Sequence, residues 1–222
     1  MKVLVFGATG AAGGSVLRAC ASSPAVDEVR AIARRAPASA SGRVRVFIHD
    51  DFLDYSRVAE AFRDVDACFW CLGISATQVP DEAAYRVITH GFAMAAARML
   101  ARHSPRAAFH FVSGQGAALD SRMMWARVKA QTEQDLISGF GAVCWRPAFI
   151  DGADSANAPR FLQVMRPVFR LLRPFRGLYV AGEDIGFAMI QATVEKRRAR
   201  IIDNRELRSM ADRQRQSMAR GA

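Results

Sequence analysis

Short apolar runs alternate with longer amphipathic segments along most of this chain. Lys2–Phe6, Val29–Ala33, Val44–Ile48, Ala67–Leu72, Phe109–Ser113 and Ala142–Arg146 each predict a strand. They are too short to span a helix face and too apolar to leave one side in water, so burial on both faces is expected. Between them lie segments with helical spacing. Ser15–Ser22 puts Val16, Leu17 and Cys20 on one face and stops at Pro24. Ser56–Arg63 carries Val58 and Phe62. A long stretch after Pro80 places Tyr85, Ile88, Phe92, Ala95, Ala96 and Met99 on one side and ends before Pro105. Met123–Ile137 is the last of this series. Strands alternating with helices predict an α/β fold, a doubly wound parallel sheet with crossover helices, as one domain over residues 1–222. After Pro147 the alternation weakens. Residues 151–181, punctuated by Pro159, Pro167 and Pro174, read as a small lid or substrate lobe over the C-terminal edge of the sheet. Val180–Val194 then predicts a helix and Arg200–Asp203 a short late strand, followed by a basic tail over 205–222.

Composition narrows the class. The 222 residues are 51% hydrophobic and 23% charged, the balance of a globular domain. No apolar run approaches the length of a membrane span. Met1–Phe6 enters a glycine-rich stretch with no small-residue cleavage site, so a strand is expected at the start and not a signal peptide. Four cysteines make no disulfide framework, and a reduced, cytosolic (cytoplasmic) protein is expected. Cys68 and Cys71 form a Cys-x-x-Cys, but three positions apart on a strand they face opposite sides, which disfavours a redox pair. The formal charge is +10, and the last 28 residues hold nine Lys or Arg against four Asp or Glu. With no aromatic residues interleaved to stack bases, that end reads as a solvated segment, and nucleic acid is a disfavoured partner. His49, His90, His103 and His110 lack metal-ligand spacing, so no metal site is expected; His110, between Phe109 and Phe111, reads as a packed core residue. Neither Ser15 nor Ser113 sits in a Gly-x-Ser-x-Gly elbow, which disfavours a hydrolase.

The chemistry begins at Gly7-Ala8-Thr9-Gly10-Ala11-Ala12-Gly13-Gly14, directly after a strand and opening a helix. Glycines there let the backbone turn tightly and approach a pyrophosphate, whose charge rests on the helix N-terminus and its free N–H groups. Within a complete strand–turn–helix–strand unit this predicts a Rossmann-type dinucleotide site. The second strand ends Ile32-Ala33-Arg34-Arg35. An NAD site usually offers a carboxylate here to the ribose 2′-hydroxyl, whereas a guanidinium accommodates a 2′-phosphate. With Arg34 and Arg35 in place of an acid, the expected cofactor is NADP, with NAD less favoured.

Taken in order, Gly7–Gly13, Arg34, Asp51-Phe52-Leu53-Asp54, Leu72-Gly73, Phe111-Val112-Ser113 and Arg146-Pro147 resemble the atypical short-chain dehydrogenase/reductases. The chain looks most like their small NAD(P)H-binding branch, which includes NmrA-like and Tat-interacting-protein-like oxidoreductases. The likeness reaches the late Ile201-Ile202-Asp203-Asn204 segment. It implies that Asp51 and Phe52 sit by the adenine, that Cys71, Leu72 and Gly73 pass under the adenosine ribose, and that Pro147, Ala148 and Phe149 flank the nicotinamide. The helices that pair in relatives carry no distinctive pattern here, so a homodimer is left open.

The resemblance also exposes a departure. Enzymes of this superfamily use Tyr-x-x-x-Lys on the helix after the fifth strand, with a Ser from that strand's end. The Tyr is a general acid/base, and the Lys lowers its pKa and holds the nicotinamide ribose. Here the segment is Trp125-Ala126-Arg127-Val128-Lys129. The lysine and Ser113 are present; the phenol is not, and an indole N–H gives up no proton at neutral pH. Lys129 and Ser113 are therefore the catalytic candidates, with Trp125 in the usual Tyr position. Three readings follow: a weak oxidoreductase on a small carbonyl substrate, protonating through water, Ser113, Tyr85 or Asp120; a non-catalytic NADP(H)-binding sensor or scaffold; or a flavin- or quinone-type enzyme needing little acid catalysis. Arg160, Arg166, Arg170, Arg173 and Arg176 alternate with apolar residues in the 151–181 lobe. A lid, an oligomer contact and a membrane-surface helix are the readings weighed for it.

Overall fold

The computed structural model describes residues 1–37, 42–152 and 173–220. Its centre is a seven-stranded parallel sheet built from β1 (Lys2–Phe6), β2 (Glu28–Ala33), β3 (Val44–Ile48), β4 (Ala67–Trp70), β5 (Ala108–Val112), β6 (Val143–Arg146) and β9 (Arg200–Asp203), in the order β3-β2-β1-β4-β5-β6-β9. The strand order reverses direction between β1 and β4, and loops leaving these two strands open a crevice at their C-terminal ends. A separate parallel pair joins β7 (Phe149–Asp151) to β8 (Tyr179–Ala181).

Alternation along each strand feeds two apolar layers. Val3, Val5, Ala31, Phe69 and Trp145 face one, where α1 (Ala11–Ser22), α5 (Gly182–Val194) and α6 (Asn204–Arg220) pack. Leu4, Phe6, Ile32, Trp70 and Phe111 face the other, covered by the 3-10 segment Ser56–Phe62 and by α3 (Phe92–His103) and α4 (Met124–Phe140). This is the two-sided burial that continuous apolar runs imply. Cys68 lies in the second layer while Cys71 packs against the first, so the two thiols face opposite sides and are both free.

Several boundaries depart from the sequence expectation. The first helix begins at Ala11, taking Gly13 and Gly14 inside it. Ser56–Phe62 is a 3-10 segment kinked at Val58. The long helix after Pro80 starts at Glu82 as α2 (Glu82–Arg86) and passes through a π turn at Val87–Gly91 before continuing as α3. β4 stops at Trp70, so Cys71 and Leu72 leave the sheet. Tyr179–Ala181 is a strand and not the first turn of a helix.

The basic end is not a solvated tail. Residues 204–220 form α6, which buries Leu207, Met210, Ala211 and Gln214 against the body of the protein. Its charges are tied down by Arg176–Asp212, Arg213–Glu195 and Arg215–Asp184 ion pairs. Most of the 151–181 lobe, including Arg160, Arg166 and Arg170, lies outside the described residues.

Candidate functional site

The crevice between the ends of β1, β2 and β4 is a cleft of about 720 Å³. Gly7, Thr9, Gly10, Ala11, Arg34, Arg35, Phe52, Cys71, Leu72 and Gly73 line it, so ten residues expected at a cofactor site converge on one surface. Its floor is the glycine turn. Gly7 has φ +73°, and a Cβ on it would stand 2.6 Å from the Cys71 carbonyl carbon. Gly13 is pressed against the same turn from the helix side: a Cβ there would overlap the Gly7 carbonyl. Gly10 differs. Its φ of −92° suits any residue, and the nearest atom to an added Cβ would be Gly7 O at 3.3 Å. Backbone geometry therefore does not demand glycine at position 10, and a side chain there would project into the cleft.

Gly10 is also the N-cap of α1, and it supplies no side-chain cap. No acidic residue stands in that helix's first turn. The leading N–H groups and the positive end of the helix dipole are left for an anion. At the far side, Arg34 and Arg35 follow β2 and are exposed, with neither drawn into an ion pair with the described residues. The residues present thus fit a dinucleotide phosphate: a turn that excludes side chains, an uncapped helix N-terminus and two uncommitted guanidinium groups.

Other expected residues stand elsewhere. Ala12, Gly13 and Asp51 do not line the cleft. The Asp51 carboxylate accepts from Leu53 N and Asp54 N, closing its own turn, and Phe52 alone of that pair faces the cleft. Pro147, Ala148 and Phe149 also lie off the lining, but they are firmly held. Gln115 N donates to Pro147 O at 3.0 Å, and Ala148 N donates to the buried Asn204 Oδ1 at 2.8 Å. Sequence reasoning missed Ile32, Ala33, Ile74, Ser75 and Gln78 in the lining. The Ser75–Gln78 capping box, a Ser-x-x-Gln signature, was the readable signal for the last two.

A second group forms where β5 and β6 end against α4. Trp125 lies over the loop after Ser113: Cβ atoms added to Gly114 and Gly116 would meet its ring at 3.7 and 3.6 Å. Lys129, one turn on, donates from Nζ to Ser113 O at 2.6 Å. The Ser113 hydroxyl is buried without a hydrogen-bond partner among the described residues. One more turn along, Glu133 is buried and paired bidentately with Arg146, at 3.0 and 2.6 Å. Burial lowers Lys129 from the ordinary lysine value of 10.5 to about 8, and the Glu133 carboxylate opposes that shift.

None of the tyrosines lines the cleft. Tyr55 packs edge-to-face among Phe6, Phe52 and Phe62, Tyr179 donates to Asp151, and Tyr85 is buried on α2 with its phenol pushed up by desolvation. Cys71 lines the cleft, but burial pushes its thiol up to about 12, which keeps it protonated and unreactive. Among the described residues, no three His, Cys, Asp or Glu side chains come together to hold a metal, and no helix is long and apolar enough to cross a membrane.

This fold and cradle define an NAD(P)-binding protein of the short-chain dehydrogenase/reductase type. The chain belongs to the NAD dependent epimerase/dehydratase family, whose model matches residues 3–133. Its relatives include the fmp52 protein of Aspergillus clavatus, 27% identical over 84% of this chain and 80% of its own length. The FMP52 protein of Eremothecium gossypii is 24% identical over 95% and 97%. Among solved structures, DesIV, a dTDP-glucose 4,6-dehydratase from Streptomyces venezuelae with NAD and TYD bound, shares the fold. Its TM-score is 0.67 at 18% identity, over 95% of this chain and 80% of its own. Both fungal relatives are named mitochondrial, and that finding overturns the expectation of a cytosolic protein.

Proposed function

We propose that the protein binds NADP(H) in the cleft between β1, β2 and β4 and acts as a slow oxidoreductase on a small carbonyl or quinone substrate. The observation that carries the cofactor choice is the pair of exposed, uncommitted arginines, Arg34 and Arg35, at the rim where an NAD site would place a carboxylate. Their forked donors suit a 2′-phosphate, and the glycine turn with the uncapped α1 suits the pyrophosphate. Phe52 and Leu72 supply apolar walls for the adenosine. Pro147–Phe149, tethered on both sides, and Lys129 serve the nicotinamide half. A bound nicotinamide supplies or accepts the hydride; the chain's own residues bind it, orient it and hold the proton. The names of the relatives favour a mitochondrial setting.

Trp125 favours a second reading. A chain that has replaced the phenolic acid by an indole packed onto Gly114 and Gly116 can bind NADP(H) without turning it over, as a sensor or scaffold. Two measurements separate the possibilities. Calorimetry with NADP⁺ and NAD⁺ tests the cofactor assignment, which fails if NAD⁺ binds as tightly. NADPH oxidation against a panel of aldehydes, ketones and quinones then divides the two functions: slow turnover of any class supports the enzyme, and none across the panel supports the sensor.

A further inference from the structure

The chain carries 31 Lys and Arg, of which only three, Lys2, Lys129 and Lys196, are lysines. Arginine is its default cation. Lys2 and Lys196 are exposed, whereas Lys129 is half-buried on the inner side of α4 with Nζ 2.6 Å from Ser113 O. A guanidinium stays charged at every pH a protein meets, so it can hold an anion but cannot pass a proton. An ammonium can do both. The one lysine directed inward stands where the family's proton chemistry takes place and where the phenol is missing.

The surroundings of Lys129 have the same bias. Its own helix places Glu133 one turn on, with the carboxylate 2% exposed. From β6, Arg146 grips both oxygens of that carboxylate and holds it in place. From the end of β5 comes the Ser113 carbonyl, which accepts from Nζ, and a buried hydroxyl with no partner among the described residues. The remaining charges of α4 nearby are committed across the helix pair: Arg127 to Glu82 at 2.6 Å, and Asp135 to His90 at 2.8 Å. Burial favours the neutral amine, and the fixed Glu133 charge favours the ammonium. These opposing effects leave both forms accessible near neutrality.

We propose that Lys129 holds the exchangeable proton of this site in place of the missing tyrosine, and that Glu133, locked by Arg146, is the positioning residue that sets its charge. The assignment rests on the reading of this cleft as the cofactor site, but its test does not.

Biosynthetic labelling with carbon-13, nitrogen-15 lysine yields three side-chain signals, and Lys129→Arg identifies the one that matters. In the unliganded wild type, Lys129 is expected to lose its proton near pH 8, well below the ordinary lysine value of 10.5. Titration at the ordinary lysine value instead overturns the proposal. Glu133→Gln is expected to lower the Lys129 value by about one further unit, since it removes the carboxylate that favours its ammonium; an unmoved value overturns the positioning role. If Glu133→Gln fails to fold, Arg146→Gln carries the same decision with opposite sign. Freeing Glu133 from its competing cation raises the Lys129 value, and no rise overturns the role. A failure of NADP⁺ binding would appear in calorimetry and leave these signals readable, so the two conclusions fail separately.

Discussion

Gly13 and Gly7 touch backbone to backbone: no side chain fits on Gly13 without overlapping the Gly7 carbonyl. This contact fixes the start of α1 against the end of β1 and thereby points the free N–H groups of the helix into the cleft. Gly10, between them, donates its N–H to Gly7 O at 2.9 Å but leaves room for a Cβ, whose nearest atom would be that same oxygen at 3.3 Å. The three glycines therefore do different work, two for the turn and one for what the turn holds.

Mutations should separate these roles. Gly10→Val is expected to leave the fold intact, because φ is −92° at an extended N-cap and only Gly7 O need yield slightly. NADP⁺ binding should disappear, since the branched side chain fills space the phosphates require. Gly13→Ala should instead lower stability by about 1–3 kcal/mol or more, the range for forcing atoms into packed space. Thermal melts and calorimetry on both variants check this. Tight NADP⁺ binding by a folded Gly10→Val protein would place the phosphates elsewhere.

Arg34→Ala and Arg35→Ala should each narrow the preference for NADP⁺ over NAD⁺. A charge-assisted contact is worth roughly 1.5–3 kcal/mol, and exposure at the rim moves the expectation to the low end of that range. NADP⁺ affinity should fall more steeply with added salt than NAD⁺ affinity, because the screened 2′-phosphate contact comes on top of the pyrophosphate contact both cofactors share. Calorimetry at two salt concentrations measures both; parallel losses for the two cofactors would remove the arginines from 2′-phosphate recognition.

Trp125→Tyr rebuilds Tyr-x-x-x-Lys on α4. The phenol is smaller than the indole that rests on Gly114 and Gly116, so the helix can keep its place. If the missing acid is what limits the wild type, carbonyl reduction with NADPH should rise by about 10²–10⁴-fold, the usual worth of a positioned acid. Ser113→Ala in the same background should reverse much of the gain. A folded Trp125→Tyr protein that binds NADPH yet gains nothing would shift the limit to substrate placement.

How much of this was legible in the sequence depends on the range of the signal. β1, β3 and β9 fall where the sequence placed them, because a short strand bounded by turn or charged residues writes its limits in consecutive residues. The glycine turn was legible for the same reason. The π turn at Val87–Gly91 was not, since its spacing still reads as helix. Val180 and Ala181 of the strand Tyr179–Ala181 were absorbed into the helix after it, as a three-residue apolar run has no period of its own. In α6, Leu207, Met210, Ala211 and Gln214 follow helical spacing, but the surrounding charge masked that face. The Glu133–Arg146 pair joins α4 to β6 and follows no local pattern. It becomes visible only once those elements are side by side.

His110 makes the last prediction, which concerns stability. Buried on β5, it accepts at Nδ1 from the Trp145 indole N–H at 3.2 Å, which fixes the proton on Nε2. Nε2 faces Thr193 Oγ1 at 3.1 Å, and that hydroxyl gives its own proton to Met189 O at 2.8 Å, so it accepts from the ring. Every site is taken by the neutral tautomer. A second proton, on Nδ1, would oppose the indole N–H. Burial, with a smaller contribution from Arg198, lowers the ring from 6.5 to about 3. Between those values the unfolded chain binds a proton that the native state refuses, so stability rises with pH across this window. It should be complete above about pH 6.5 and decline steadily toward pH 3, with His110 alone accounting for on the order of 5 kcal/mol at most. Urea unfolding of wild type and His110→Leu at several pH values isolates the effect. The variant is expected to be less stable near pH 7, having lost both hydrogen bonds, and to close the gap as pH falls. Parallel curves for the two proteins would mean that His110 takes up its proton without resistance from the fold.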